Sequence, residues 1–145
     1  MTKTKNGFTL MELMIVIAIL GMLSVIAAGK FTELVAKSKD GYTKGALGNI
    51  RSALAVYYAD NISYPADDLS SLTADGKYLN ILPKAKLPNT GHPDTASVAT
   101  GASTGSFITD AGGWAYDNNS LDTGWGSINV NCGHKNTKDE TWSGQ

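Results

Sequence analysis

With one cysteine in 145 residues, the chain cannot close an internal disulfide, and the lone thiol of Cys132 supplies no metal framework. Histidine is nearly as scarce. His92 and His134 have no carboxylate or cysteine at ligand spacing, so neither a catalytic pairing nor a metal centre is expected of them. Neither sign of charge dominates: 12 Lys and Arg face 13 Asp and Glu, a net charge of -1 that argues against nucleic acid as the main partner. No phosphate-cradling glycine loop occurs, so a nucleotide-driven step has to be supplied by another protein. Hydrophobic residues make up 42% and charged ones only 17%, which excludes a disordered chain and a coiled-coil rod. At 15.3 kDa the chain holds one compact domain with at most an appendage. With so few titratable candidates, no nucleophile–base pair can be assembled, and an enzyme is not expected.

What the chain has in plenty is apolar sequence at one end. From Phe8 to Ala28 it reads FTLMELMIVIAILGMLSVIAA, with Glu12 the single charge. As a helix rising 1.5 Å per residue this run covers roughly 31 Å, the hydrocarbon thickness of a bilayer. It is apolar all round, unlike the core helix of a soluble protein, and is expected to span. Lys3 and Lys5 precede it, which puts the N-terminus on the cytoplasmic side and everything after Gly29 outside; Lys30 can snorkel to the far interface. A cleaved secretory signal is the alternative, with a small-residue site near Ala27 to Gly29. That alternative leaves Glu12 unexplained, because a carboxylate at mid-membrane costs about 2.5–3.5 kcal/mol and asks for a partner even nearer the edge.

The segment KNGFTLMELMIVIAILGML resembles the N-terminal signal of type IV prepilins and type II secretion pseudopilins. There, a short basic leader ends in glycine, followed by phenylalanine and, four residues on, a glutamate inside a long apolar helix. Gly7, Phe8 and Glu12 occupy those positions, and Thr9-Leu10 complete the start. The resemblance implies cleavage between Gly7 and Phe8 by a membrane prepilin peptidase, N-methylation of the new Phe8 amine, and retention of the apolar segment. It also implies that Glu12 meets the amine of a neighbouring subunit as the filament grows. Physics supports such a pair, since each ion alone is costly in a low dielectric. Removing Lys3 and Lys5 leaves 10 basic against 13 acidic side chains.

Beyond the membrane run, Phe31, Leu34, Val35, Tyr42, Ala46, Ile50, Ala53, Val56 and Tyr57 fall on one helical stripe. One helix from about Phe8 to about Ala59, roughly 78 Å long, is predicted. Its glycines weaken it, and Gly21 and Gly29 are candidates for helix flexibility during assembly or for close packing between membrane helices. Many type IV pilins have proline where Gly29 stands, so a proline kink is not available. The predicted division is a cleaved leader at 1–7, a transmembrane and assembly helix at 8–29, a stem at 30–60 and a head at 61–145.

In the head, Tyr64-Pro65 followed by Leu69 and Leu72 resembles the segment after the long helix in pilin-like proteins, especially major pseudopilins. Thr90 to Gly105 reads as an exposed loop, and SFIT, GWAYD and GSINVN as strands. Trp114 with Tyr116, and Ile128 with Val130, alternate with smaller or polar neighbours, so one sheet face should be buried over Ile50, Ala53, Val56 and Tyr57. The expected fold is α+β, with the second half of the long helix on three or four antiparallel strands. The stretch from Asp117 to Gly124 is oxygen-rich, and Asp117, Asn119 and Asp122 are calcium candidates, although the twelve-residue calcium-loop pattern fails at Leu121 and Asp122. No other cofactor is expected. Cys132 reads as a small buried residue, and the C-terminal cysteine pair of many type IV pilins is missing.

The expected function is a structural subunit of a helical filament assembled at the inner membrane. Its partners would be copies of itself and related pilin-like subunits, prepilin peptidase, the bilayer, and an assembly platform with a separate ATPase. The short head, the missing cysteine pair and the Tyr64-Pro65 segment lean toward the type II secretion pseudopilus, a periplasmic piston. A type IV pilus serving adhesion, motility or DNA uptake is the alternative. A membrane-anchored or secreted binding module is the alternative of another class.

Overall fold

A computed structural model describes residues 7–101 and 108–145. The leader lysines Lys3 and Lys5 lie outside the described residues, as do Ser106 and Phe107 of the expected SFIT strand. The element order is helix α1 (Leu10–Asn61), strands β1 (Val98–Gly101), β2 (Trp114–Asp117) and β3 (Ile128–Val130), with 3-10 turns at Ser70–Leu72 and Trp142–Gly144. The chain divides into two compact units, Met1–Val35 and Ala36–Gln145. The α+β architecture expected from the sequence is present: one long N-terminal helix and a small sheet.

Within the first unit, every described residue from Gly7 to Val35 is exposed. Nothing in this stretch has a protein core to enter, and its helical hydrogen bonds close locally, as a backbone in lipid requires.

The second unit is built on Ala36–Asn61 of α1. Its buried helix residues are Ala36, Asp40, Thr43, Ala46, Leu47, Ile50, Ala53 and Leu54, and half-buried Tyr57 extends the same face. Steps of three and four residues from Ala36 through Asp40, Thr43, Leu47, Ile50 and Leu54 trace one side of the helix. Two polar residues sit in this face with hydrogen-bond partners distant in sequence. The Asp40 carboxylate accepts the Thr137 N–H at 2.7 Å and the Thr137 hydroxyl. Thr43 donates its hydroxyl to the Lys86 carbonyl at 2.6 Å and accepts the Lys86 N–H at 2.9 Å. Val56, expected under the sheet, instead stands 53% exposed. It lies one position round the helix from the buried Ala53–Leu54 pair, so the core passes it by.

The sheet has three strands in the order β1-β2-β3, and it is mixed rather than antiparallel. β1 pairs parallel to β2, Val98 opposite Trp114 and Gly101 opposite Asp117; β3 pairs antiparallel, Trp114 opposite Val130 and Tyr116 opposite Ile128. β1 falls inside the stretch expected to be an exposed loop, and the described part of SFIT, Ile108 and Thr109, is not in a strand. A connection of about a dozen residues is long enough to bring the chain back to the same end of the sheet, which makes parallel pairing feasible. Gly113 makes the entry to β2 possible. At φ +78° its missing Cβ would stand 2.3 Å from the Ser97 carbonyl oxygen, the oxygen that receives the Trp114 N–H at 2.8 Å.

All four residues of β2 are buried, so this middle strand is covered on both faces rather than one. The core joins Ile50, Leu47 and Leu54 of α1 to Leu69, Leu72, Leu87, Trp114, Tyr116, Ile128, Val130 and Trp142. Two polar tips in it are matched, the Trp114 indole N–H donating to the Pro83 carbonyl and the Tyr116 hydroxyl to the Pro65 carbonyl, both at 2.8 Å, while the buried Trp142 indole N–H has no acceptor among the described residues. The Tyr64-Pro65 segment therefore does structural service beneath β2. Tyr64 also backs Gly126, where φ is +85° and a Cβ would meet the Tyr64 ring at 2.3 Å.

Candidate processing and assembly site

Gly7, Phe8 and Thr9 precede α1 in non-helical backbone, and all three are exposed. The peptide between Gly7 and Phe8 is thus free of helical hydrogen bonding, the condition a peptidase needs to draw a chain into an extended cleft. Three residues later the helix is capped by its own sequence. The Glu12 N–H donates to the Thr9 hydroxyl at 3.2 Å, while Glu12 Oε2 accepts the Thr9 N–H at 2.9 Å and the Thr9 hydroxyl at 3.0 Å. This is a reciprocal capping box, Thr-x-x-Glu, that satisfies two otherwise orphaned groups of the first turn. Reading Glu12 as an acid without a partner in its own chain missed this; the spacing Thr9-Leu10-Met11-Glu12 carried the signal. The carboxylate also sits where the positive end of the helix dipole favours it.

Behind the cap, α1 contains a window long and apolar enough to cross a membrane, none of it buried within the protein. Gly21 and Gly29 lie in this part of the helix, and a Cβ built on either meets no atom within 4 Å.

The calcium candidates turn inward on their own loop. Asp117 is buried and its Oδ1 accepts the Asn119 N–H at 3.1 Å; Asn119 Oδ1 accepts the Leu121 N–H at 3.1 Å; Asp122 Oδ1 accepts the Gly124 N–H at 3.4 Å. These are side chains shaping a tight loop between β2 and β3.

A cluster that spacing did not reveal stands elsewhere in the second unit. His92, Asp110, Cys132 and His134 bring one ligand atom each within 4.8 Å of one another. The expectation that the two histidines have no carboxylate or cysteine partner is therefore overturned. Asp110 and His134 stand 18 and 42 residues from His92, beyond any local motif, while Cys132 stands two residues before His134. Asp110 Oδ1 lies 3.2 Å from both His92 Nε2 and His134 Nδ1 and accepts the Gly133 N–H at 2.8 Å. That N–H, and then the two imidazoles, hold the Asp110 carboxyl below the usual carboxylate range. Cys132, free and fully buried, has its thiol pushed up to about 11 by burial.

Comparison with known proteins bears on the N-terminal segment. The prokaryotic N-terminal methylation motif matches residues 2–28, the stretch that contains Gly7, Phe8 and Glu12. The fimbrial protein EcpC of Eikenella corrodens is 40% identical over 81 residues, 54% of this chain and 53% of that protein. The type II secretion system core protein G of Pseudomonas aeruginosa is 34% identical over 64 residues, covering 44% and 45% of the two chains. The type IV major pilin protein PilE of Neisseria gonorrhoeae is 33% identical over 84 residues, covering 54% and 50%. The chain spans about half the length of the curated relatives it matches. No solved structure matches it.

Proposed function

The methylation motif and the curated relatives support assigning the chain to the pilin and pseudopilin family, and from that premise we propose that it is a non-enzymatic, pilin-like filament subunit. It is held in the inner membrane by the apolar part of α1, with the leader inside and the second unit outside. Prepilin peptidase cuts between Gly7 and Phe8, and the new Phe8 amine is methylated. An assembly platform with its own ATPase then lifts the chain into a bundle of like helices.

The observation that carries this reading is Glu12, capped by Thr9 four residues from the new amine in a helix with no protein cover. The capping box satisfies hydrogen bonds of the carboxylate but leaves its charge. A neighbour's Phe8 ammonium neutralises that charge as the two helices pack in a low dielectric, and the pair sets the axial register between subunits.

Capping and charge pairing are separable by substitution. Glutamine preserves a capping box and alanine does not, whereas both remove the charge. In cells producing the full chain, Glu12→Gln and Glu12→Ala are each expected to abolish sheared or periplasmic filaments, with cleavage at Gly7 intact by mass spectrometry. Normal filaments from Glu12→Gln would overturn the charge-pairing step. A mature protein beginning near Lys30 rather than at methylated Phe8 would instead support the secreted binding module.

Of the two machines, the type II secretion pseudopilus is favoured by the Tyr64-Pro65 segment and by the lone Cys132. Curated relatives include both a secretion core protein and type IV pilins, so the lean rests on the head's own sequence. Deletion of the gene should then stop export of secreted enzymes; loss of surface fibres with export unchanged would favour the pilus.

A further inference from the structure

We propose that His92, Asp110, Cys132 and His134 form a closed, structural zinc site in the second unit. Three of the four ligand atoms already stand at the spacing of a coordination shell, with the sulfur beside them. His92 Nε2, His134 Nδ1 and Asp110 Oδ1 make a nearly equilateral triangle with sides of 3.3, 3.2 and 3.2 Å. A tetrahedron with metal–nitrogen and metal–oxygen bonds of about 2.0–2.1 Å has edges of about 3.3 Å. Sulfur bound at about 2.3 Å lengthens its edge to about 3.5 Å. Cys132 Sγ stands 3.5 Å from His134 Nδ1, and all four atoms fall within 4.8 Å.

Hydrogen bonds to Asp110 Oδ1 account for the approach of both imidazoles, but not for the gathering of His92 and Cys132 around the same His134 nitrogen. His134 Nδ1 has three neighbours, at 3.2, 3.3 and 3.5 Å, yet a ring nitrogen has one proton to give or one lone pair to offer. A cation at the centre uses all four lone pairs at once. The donor set, two imidazoles with one thiolate and one carboxylate, suits zinc, and four protein ligands leave no open position for catalysis. A supporting contact is in place: the Gly133 N–H fixes the ligating Asp110 oxygen at 2.8 Å.

The ligands come from three places: the segment after Leu87, the approach to β2, and the segment just past β3. The metal would tie these together in a chain whose single cysteine cannot make an internal disulfide, and its binding energy would add directly to folding.

The test is direct titration of the full chain, purified in detergent and stripped with chelator, with zinc chloride. One zinc per chain is expected, with a rise in unfolding temperature that chelator reverses. His134→Gln and His92→Gln should weaken binding by ~100-fold or more. His134 is half-exposed, so its replacement leaves the fold standing. Cobalt in place of zinc should give the intense visible bands of four-coordinate geometry and a thiolate-to-cobalt charge-transfer band that Cys132→Ser removes. No stoichiometric zinc, equal affinity in the histidine variants, or a pale six-coordinate cobalt spectrum would each overturn the proposal.

Discussion

Lys44 on α1 and Glu140 beyond β3 meet at 2.8 Å, and Asn136 adds a second donor to the same carboxylate at 2.9 Å. The ammonium first and the amide second hold the Glu140 carboxyl down to about 2, from an ordinary 4.5. A carboxyl depressed on folding stabilises the protein above its unfolded value, and that contribution is lost as pH falls through the folded one. The stability difference between wild type and Glu140→Gln should therefore be constant above about pH 5 and shrink toward about pH 2. Thermal unfolding of the full chain in detergent, followed by the near-ultraviolet signal of its buried tryptophans, measures it. A difference independent of pH would show that Glu140 acts through packing alone. The pair is partly exposed, so the effect is modest. At this scale the proposed processing and assembly residues could be named from sequence because Gly7 and Phe8 are adjacent and Glu12 stands four residues on. The His92 cluster could not, since only the folded backbone brings His92 and Asp110 to Cys132 and His134, the one pair close in sequence.

Elements were legible where periodicity is strong and obscure where a partner distant in sequence decides. The predicted helix and the strands at Trp114–Asp117 and Ile128–Val130 appear with nearly the expected bounds. The buried face of α1 was read correctly at Ala46, Ile50, Ala53 and Tyr57, and missed at Asp40 and Thr43 for a reason visible in those residues. Asp40 and Thr43 are polar, and no local window announces that Thr137 and Lys86 will bond to them. Phe31, Leu34 and Val35 are apolar and yet exposed, because they precede the compact second unit. Strand β1 is built from Val98, Ala99, Thr100 and Gly101, too poor in large apolar side chains to signal a strand, and its pairing is made by the backbone. The corrected face makes a contrast that can be measured. Ile50 is fully buried, so Ile50→Ala should cost ~2–5 kcal/mol. Val56, three residues from buried Ala53, should cost less than ~0.5 kcal/mol as Val56→Ala. Similar losses for both in chemical denaturation would restore the face first read from the sequence.

For the molecule as a whole, the division of labour follows from burial. Among the described residues none before Ala36 is buried, and the whole hydrophobic core lies from Ala46 to Trp142. The first unit therefore has no stability of its own to lend the second, and its apolar side chains need lipid or other helices to cover them. The second unit has its own core and the full sheet. A chain shortened to Ala36–Gln145 should accordingly be soluble without detergent, monomeric by sedimentation, and cooperative in thermal unfolding, with a frayed first turn where α1 is cut. The exposed apolar residues left to it, such as Tyr42, Val56, Ile81 and Leu121, are scattered along the sequence rather than concentrated in a run. The full chain should sediment as aggregates once detergent is withdrawn. If the shortened chain also aggregated, or melted without a cooperative transition, then residues before Ala36 would be part of the fold, and the apolar helix could not be a handle reserved for membrane and filament.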